Sequence, residues 1–333
     1  MKKALLCFMI IGIAVLLLAQ TKEQNKILDR KVTCPLCGFS FKAHIVMNPD
    51  TRGGEDTDFL IRSVGSNPIA NTVWTCPKCY YSALPQDFQK KLPETVKKEL
   101  FKTKDFGKDL STIAQDDIPA WLKYENAIIF YETLGQETQF IAGLHLKAAW
   151  ACRLDAIEYT PEMDKLGQEY WDKVIKFQET TFQQYFHDMA ELISQQMENH
   201  LDSSKKSAVL ELVYADYRRK SGDYLAALQI LQNMKKQPAT YNTFKSQIDN
   251  DILLCEKEKT HQQEALTLFE KELQQDKITK DYKIRFTYLA GELSRRLGKK
   301  KQAQDWYQKA LELIPEDQTF RLLVEQQLKF VRQ

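Results

Sequence analysis

Two cysteine pairs with the same spelling, Cys34-Pro35-Leu36-Cys37 and Cys76-Pro77-Lys78-Cys79, constrain this chain more than any other feature. Two residues between cysteines let both sulfurs of a tight turn face one centre about 2.3 Å away, with backbone amides free to donate to the thiolates. Two such knuckles complete a tetrahedron. Gly38 follows the first knuckle, where the chain must turn back with positive φ, and Phe39 and Phe41 continue in strand-like alternation. Tyr80 holds the place of that glycine in the second knuckle, and Trp74 and Tyr81 flank it as hydrophobic caps.

Four sulfurs on one centre point to zinc. Disulfides are the competing use of the same residues, and four cysteines allow three pairings. A bridge within a Cys-x-x-Cys pair is strained, and thioredoxin-like chemistry needs one such motif opening a helix after a strand. The symmetry of the knuckles favours the metal over both. With Cys34, Cys37, Cys76 and Cys79 as ligands no position is left for water or substrate, so the ion is structural rather than catalytic. His44 sits beside the site in this reading and is not counted as a ligand. The 38 residues between the knuckles include a polar, turn-rich stretch, Arg52-Gly53-Gly54-Glu55-Asp56-Thr57-Asp58-Phe59, and later Asn67-Pro68. They are expected to loop out from the knuckle core, with Asp56 and Asp58 capping a turn or pairing with Arg52 and Arg62 rather than holding a second cation.

Composition says what the rest builds. Glycine (12) and proline (10) are scarce in 333 residues, which favours helix over turn-rich β architectures. Ala227, Ala265 and Ala303 recur every 38 residues, with Leu231, Phe269 and Tyr307 four residues after them and Ala215, Leu253 and Gly291 twelve before. A small residue on each of two helices and a large one a turn later is the packing logic of a helical repeat array. The last unit resembles a tetratricopeptide repeat, since Gly291, Gly298, Ala303, Tyr307, Ala310 and Pro315 fall on that family's signature spacings. A period of 38 rather than 34 implies lengthened turns, and an amphipathic helix over Pro315 to Val331 is expected to cap the array. Residues from about 85 to 200 also read as helical, through Trp121, Tyr124, Ile128 and Tyr131, then Leu144, Ala148, Cys152 and Leu154, with Gly135 at a turn. Cys152 and Cys255 are expected as small core residues, a disulfide between them being the alternative. His145, His187, His200 and His261 show no metal spacing.

Lys2 and Lys3 lead into an apolar run, residues 4–19, which is an export signal or an uncleaved membrane anchor by composition. Lys22, Lys26, Arg30 and Lys31 flank its far side and blur the orientation. The expectation is an exported chain, periplasmic or anchored facing out; the alternative is a cytoplasmic-facing chain anchored by residues 4–19. The segments are then 1–20, signal or anchor; 30–84, a zinc-ribbon or rubredoxin-like β module; 85–204, degenerate helix pairs; and 205–333, tetratricopeptide-like repeats with their cap. The fold class is mainly α.

Three stretches together resemble the bacterial domain of unknown function 2225 family. They are Val32-Thr33-Cys34-Pro35-Leu36-Cys37-Gly38 with Phe41-Lys42-Ala43; Asp56-Thr57-Asp58 through Asn67-Pro68 to Trp74-Thr75-Cys76-Pro77-Lys78-Cys79-Tyr80-Tyr81; and Leu289-Ala290-Gly291-Glu292-Leu293-Ser294-Arg295-Arg296-Leu297-Gly298. His145-Leu146-Lys147-Ala148-Ala149-Trp150 with Arg153 is a weaker fourth match. The resemblance implies a cysteine-knuckle head, a tetratricopeptide-like tail and no assigned activity.

Charge names no partner, because Lys plus Arg (47) nearly cancels Asp plus Glu (45). No Ser-His-Asp order, His-Glu-x-x-His or phosphate-cradling glycine loop is present, so an enzyme is not expected. The reading is a protein-interaction scaffold with a structural zinc. Tyr214, Tyr217, Arg218, Tyr282 and Arg285 are expected to line a groove for a protein or peptide partner. A nucleic-acid-binding zinc ribbon is the alternative, followed by a thiol redox enzyme. Nucleic acid is not expected, and membrane contact is expected only through an uncleaved N-terminal segment.

Overall fold

The computed structural model describes residues 26–102, 117–155, 159–165, 181–199, 204–275, 278–316 and 318–332. The expected signal or anchor over residues 1–20 lies outside them, as do Cys7 and His200. No helix among the described residues is long and apolar enough to cross a membrane.

Two antiparallel hairpins carry the cysteine pairs. β1 (Lys26–Thr33) and β2 (Ser40–Met47) pair along their whole length, from Thr33 opposite Ser40 to Lys26 opposite Met47. β3 (Trp74–Thr75) and β4 (Ser82–Ala83) form the second, minimal ladder. The turn α1 (Ile69–Thr72) precedes β3, and α2 (Pro85–Phe88) and α3 (Glu94–Lys102) follow β4. The elements described after these are all helices: α4 (Ala120–Thr133), α5 (Thr138–Leu154), α6 (Phe182–Asn199), α7 (Ser204–Lys220), α8 (Tyr224–Lys235), α9 (Pro238–Thr243), α10 (Lys245–Leu273), α11 (Lys280–Arg296), α12 (Lys300–Leu313) and α13 (Thr319–Arg332). The chain is mainly α with a small N-terminal β part, as composition implied.

The helices pack as antiparallel neighbours: α4 on α5, α6 on α7, α7 on α8, α11 on α12 and α12 on α13. Gly222 (φ 90°) and Gly298 (φ 74°) make the turns of two of these pairs in the left-handed region. Gly291 shows why the periodic small residue matters, since a Cβ there would lie 2.8 Å from the Tyr307 ring. The cap is in place, with Val324, Leu328 and Val331 of α13 buried in one cluster with Ala303, Tyr307 and Ala310 of α12.

The middle period departs from the expected helix pair. Leu253 and Ala265, expected on two helices, lie on the single 29-residue helix α10. Thr260 stands 38 residues after Gly222 and 38 before Gly298, so the residue that would break the helix is missing. α10 instead lies along α5, in the most extensive helix contact among the described residues.

The insert between the knuckles does not loop out. Asp56, Asp58, Leu60 and Arg62 are all buried, and Leu60 belongs to one core cluster with Trp150 of α5, Phe269 of α10 and Leu293 of α11. Nor does the head have a core of its own. Cys34, Trp74, Cys76, Tyr81 and Phe88 share one cluster with Tyr124, Phe130 and Tyr131 of α4 and Leu144 and Ala148 of α5.

Candidate metal centre and the buried insert

Both knuckles fold by the same local rules. The Cys34 amide donates to the Phe39 carbonyl (2.8 Å) and the Gly38 amide to the Cys34 carbonyl (2.9 Å). In the second knuckle the Cys76 amide donates to the Tyr81 carbonyl (2.9 Å) and the Tyr80 amide to the Cys76 carbonyl (2.8 Å). Hydroxyl pairs close both bases, Thr33 with Ser40 at 3.0 Å and Thr75 with Ser82 at 2.7 Å. Gly38 has φ 75°, and Tyr80 is forced to φ 59°, at a cost of about 1–2 kcal/mol for a residue with a Cβ.

The four sulfurs converge. Cys34 Sγ lies 3.6 Å from Cys79 Sγ and Cys37 Sγ 3.6 Å from Cys76 Sγ, and all four lie within 4.8 Å of one another. A tetrahedron with arms of about 2.3 Å has edges of about 3.8 Å, whereas a disulfide brings sulfurs to about 2 Å. All four are free thiols at metal-ligand spacing, so the cluster can hold a metal ion. Each pair sits in a turn between two strands, not at the start of a helix as thioredoxin-like chemistry requires. Hydrogen bonds from Cys34 and Cys79 push Cys76 down to about 3, while the Cys76 bond pushes Cys34 up and the Cys34 bond pushes Cys79 up. Four sulfurs facing one centre suit a soft or borderline divalent cation, which takes the place of their protons. His44 is no ligand: its Nδ1 is 2.9 Å from Asp29, and its carbonyl accepts from Trp74 Nε1. Tyr81 and Trp74 are buried beside the cluster, as their positions implied.

The larger surprise is a buried ion network built on the insert. A turn closes it, with the Phe59 amide donating to the Asp56 carbonyl at 2.9 Å and the Asp56 amide to the Leu60 carbonyl at 2.8 Å. Arg62 donates to Asp56 (2.6 and 2.8 Å) and also to the Lys220 carbonyl that ends α7. From α5, Arg153 donates to Asp56 (2.9 Å), Asp58 (3.0 and 2.7 Å) and Glu258 of α10 (2.9 and 2.7 Å). From α11, Glu292 accepts from Thr57 Oγ1 (2.6 Å), Arg295 (2.6 and 2.9 Å), Arg296 (2.7 Å) and Tyr307 (2.7 Å). Four arginines (62, 153, 295, 296) face four acids (56, 58, 258, 292), so the network is neutral overall. Burial raises the Asp58 carboxyl, but Arg153 and Arg296 outweigh it and hold it well below the usual range. Burial likewise opposes ionisation of Glu292, and Arg295 and Arg296 bring it down to about 2. Asp56 pairs with Arg62 as expected, while Arg52 pairs with Asp50 instead.

The groove residues do not share one open surface. Tyr217 is buried against Phe186 of α6, with ring centroids 5.7 Å apart. Tyr214 lies under the Arg218 guanidinium, and Arg218 pairs with Glu191 and Asp223. Tyr282 is half exposed and stacks on Phe286, and Arg285 sits 4.8 Å over Phe59. The insert itself occupies this part of the helices, since Tyr288 donates to the Thr57 carbonyl at 2.6 Å and Phe59 packs on Tyr288 and Phe320. Sequence reasoning did not assign roles to Arg153, Glu258, Glu292 and Arg296. One signal was available: Arg153 ends the run Ala148-Ala149-Trp150-Ala151-Cys152, where a charge has to find a buried partner.

The helices also join two histidines that sequence left apart. His145 Nδ1 of α5 lies 3.1 Å from His261 Nδ1 of α10, and Glu125 of α4 lies 3.3 Å from His261 Nε2. Burial and then the His261 ring hold His145 down at about 4. Cys152 and Cys255 are buried free thiols, as expected of core residues.

Fold and site together define a mainly helical protein whose N-terminal hairpins bring four cysteines to one centre and whose inter-knuckle insert is locked among its helices. Matches over residues 27–253 and 243–326 place the chain in a family described as an uncharacterised protein conserved in bacteria, domain of unknown function 2225. It belongs to that family. Comparison with curated proteins and with solved structures found no match.

Proposed function

We propose that this protein is a non-catalytic interaction scaffold, with a structural zinc ion on Cys34, Cys37, Cys76 and Cys79 and a helical body that presents a surface to a protein or peptide partner. The observation that carries it is the convergence of four sulfurs from two hairpins, three of them buried, on a site whose tetrahedral positions the protein fills by itself. The charged residues deep in the fold are spent on one another, which suits cohesion rather than turnover. With the insert seated among α5, α10 and α11, the partner surface in this reading is the remaining open relief of the helices. That includes a cleft of about 520 Å³ between α10, α11 and α12, lined by Glu270, Lys283, Trp306 and Lys309. Export or outward anchoring through residues 4–19 is part of the same proposal.

The test is purification of the full chain from its native host with metal analysis of the same sample. One zinc per chain and a stoichiometric co-purifying protein are expected. A metal-free protein with no companion, or turnover lost on mutating the four-cysteine site, would overturn the reading.

A further inference from the structure

The β1–β2 hairpin continues an apolar stripe past the end of the core. Cross-strand partners share a face, so Val32, Leu28, Phe41, Ala43, Ile45 and Met47 lie on one side together with Arg30 and Lys26. Val32 and Ala43 are buried near the knuckle, whereas Leu28 (38% exposed) and Met47 (41%) at the open end face solvent. Ile27 on the opposite side is 47% exposed. Three partly exposed apolar side chains thus meet at one tip, where a membrane or partner could cover them.

The occupant is indicated by where the chain goes. Gln20 ends the apolar run and Lys26 begins β1, so six residues, at most about 20 Å of extended chain, tie the hairpin's open end to that run. Over residues 26–47 there are four basic side chains, Lys26, Arg30, Lys31 and Lys42, against one acid, Asp29. Lys26 pairs with Met47 at the open end itself, whereas Lys31 and Lys42 lie on the opposite face nearer the knuckle, with Lys42 paired to Asp29. An apolar tip with Lys26 opposite Met47, on a hairpin that is basic over its length, suits the interface of an anionic bilayer, where the apolar side chains enter the headgroup boundary and the cations meet lipid phosphates.

We infer that the open end of the β1–β2 hairpin, through Ile27, Leu28 and Met47, docks on the anionic lipid surface of the membrane that holds residues 4–19. This rests on the anchoring part of the function proposed above. The zinc knuckle at the other end of the hairpin then stands about 23 Å, seven strand steps, from the lipid contact.

The experiment uses the full chain in vesicles of phosphatidylcholine and phosphatidylglycerol whose acyl chains carry bromine near the headgroups. Met47→Trp places a reporter in the docked tip, and Leu322→Trp, at an exposed position of α13, is the control. Wild-type protein supplies the background of the five native tryptophans. The result expected is co-flotation of all three proteins, with a loss of emission in M47W well beyond wild type and none beyond it in L322W. Replacing phosphatidylglycerol by phosphatidylcholine should reduce that loss, and no change on this replacement overturns the anionic assignment. Flotation with M47W quenched no more than wild type overturns the docking and leaves the anchor standing. A chain that stays out of the lipid layer overturns the anchor and the docking together.

Discussion

Arg153 on α5 and Asp58 in the inter-knuckle insert form a two-point ion pair, at 3.0 and 2.7 Å, in which neither side chain reaches solvent. The same guanidinium also holds Asp56 and Glu258, so one side chain joins the insert, α5 and α10. Removing one member of a buried pair leaves the others charged without a partner, at a cost of about 3–5 kcal/mol. Arg153→Ala is therefore expected to destabilise the protein by that much in urea titrations. Arg153→Lys is expected to recover little, because an ammonium lacks the planar fork that reaches three carboxylates. An R153A midpoint equal to wild type would show that the network contributes no cohesion.

The four-cysteine site and the insert are coupled, because both ends of the insert lead into knuckles. If the four cysteines hold zinc as proposed, Cys76→Ser removes one ligand and one buried thiol, and the zinc content of the purified protein is expected to fall below one per chain. Because Cys76 and Tyr81 share a core with Phe130 and Tyr131, the loosening should extend into α4. Hydrogen exchange is expected to show lost protection over β1–β4 and α4 while α11 to α13 stay protected. A C76S protein with unchanged metal content and unchanged exchange would contradict the site.

What sequence revealed and what it hid divides by distance along the chain. The knuckles were legible because only two residues separate the cysteines of each pair, and Gly38 marked the turn. The pairs α7–α8 and α11–α12 were legible because Gly222 and Gly298 break the helices and Ala227 and Ala303 mark the contacts. The insert was not, since Asp58 and Arg153 are 95 residues apart and Thr57 and Glu292 are 235 apart. A polar, glycine-rich stretch has the composition of a surface loop, and only tertiary pairing makes it core. The 38-residue period misled at α10 for a local reason, because Thr260 permits the helix that a glycine would have ended.

Phe59 sets two effects against each other. Its φ of 69° is one that a residue with a Cβ adopts at a cost of about 1–2 kcal/mol, which glycine would remove. Its ring packs on Tyr288 and Phe320 under Arg285, and deleting a packed aromatic side chain costs about 3–5 kcal/mol. Packing wins, so Phe59→Gly should destabilise by roughly 2–3 kcal/mol and Phe59→Ala by more, since alanine keeps the strain. Thermal unfolding of the two variants checks the order, and F59A more stable than F59G would reverse the argument.

His145 predicts a loss of stability in mild acid. Its pKa falls from 6.5 in the unfolded chain to about 4 in the folded one, so the native state resists a proton that the unfolded state accepts. Stability is then complete above pH 6.5 and declines as pH drops toward 4, by up to about 3 kcal/mol, less for the part of the ring that water reaches. His145→Gln should flatten that window in denaturant titrations. An unchanged slope would mean that another group carries the proton uptake.

Glu292 acts in a lower window. Its pKa falls from 4.5 to about 2 because Arg295 and Arg296 outweigh its burial. A depressed carboxylate stabilises above its unfolded value and loses that contribution as pH falls through its folded value, here about 3 kcal/mol between pH 4.5 and 2. Glu292→Gln should remove this part of the acid slope. It should also destabilise the protein at neutral pH by about 3–5 kcal/mol, because two arginines lose their common partner. The two effects have one cause, so a variant that is weaker at pH 7 yet keeps the full wild-type slope below pH 4.5 would show that Thr57, Tyr307 and the arginines do not meet on an ionised Glu292.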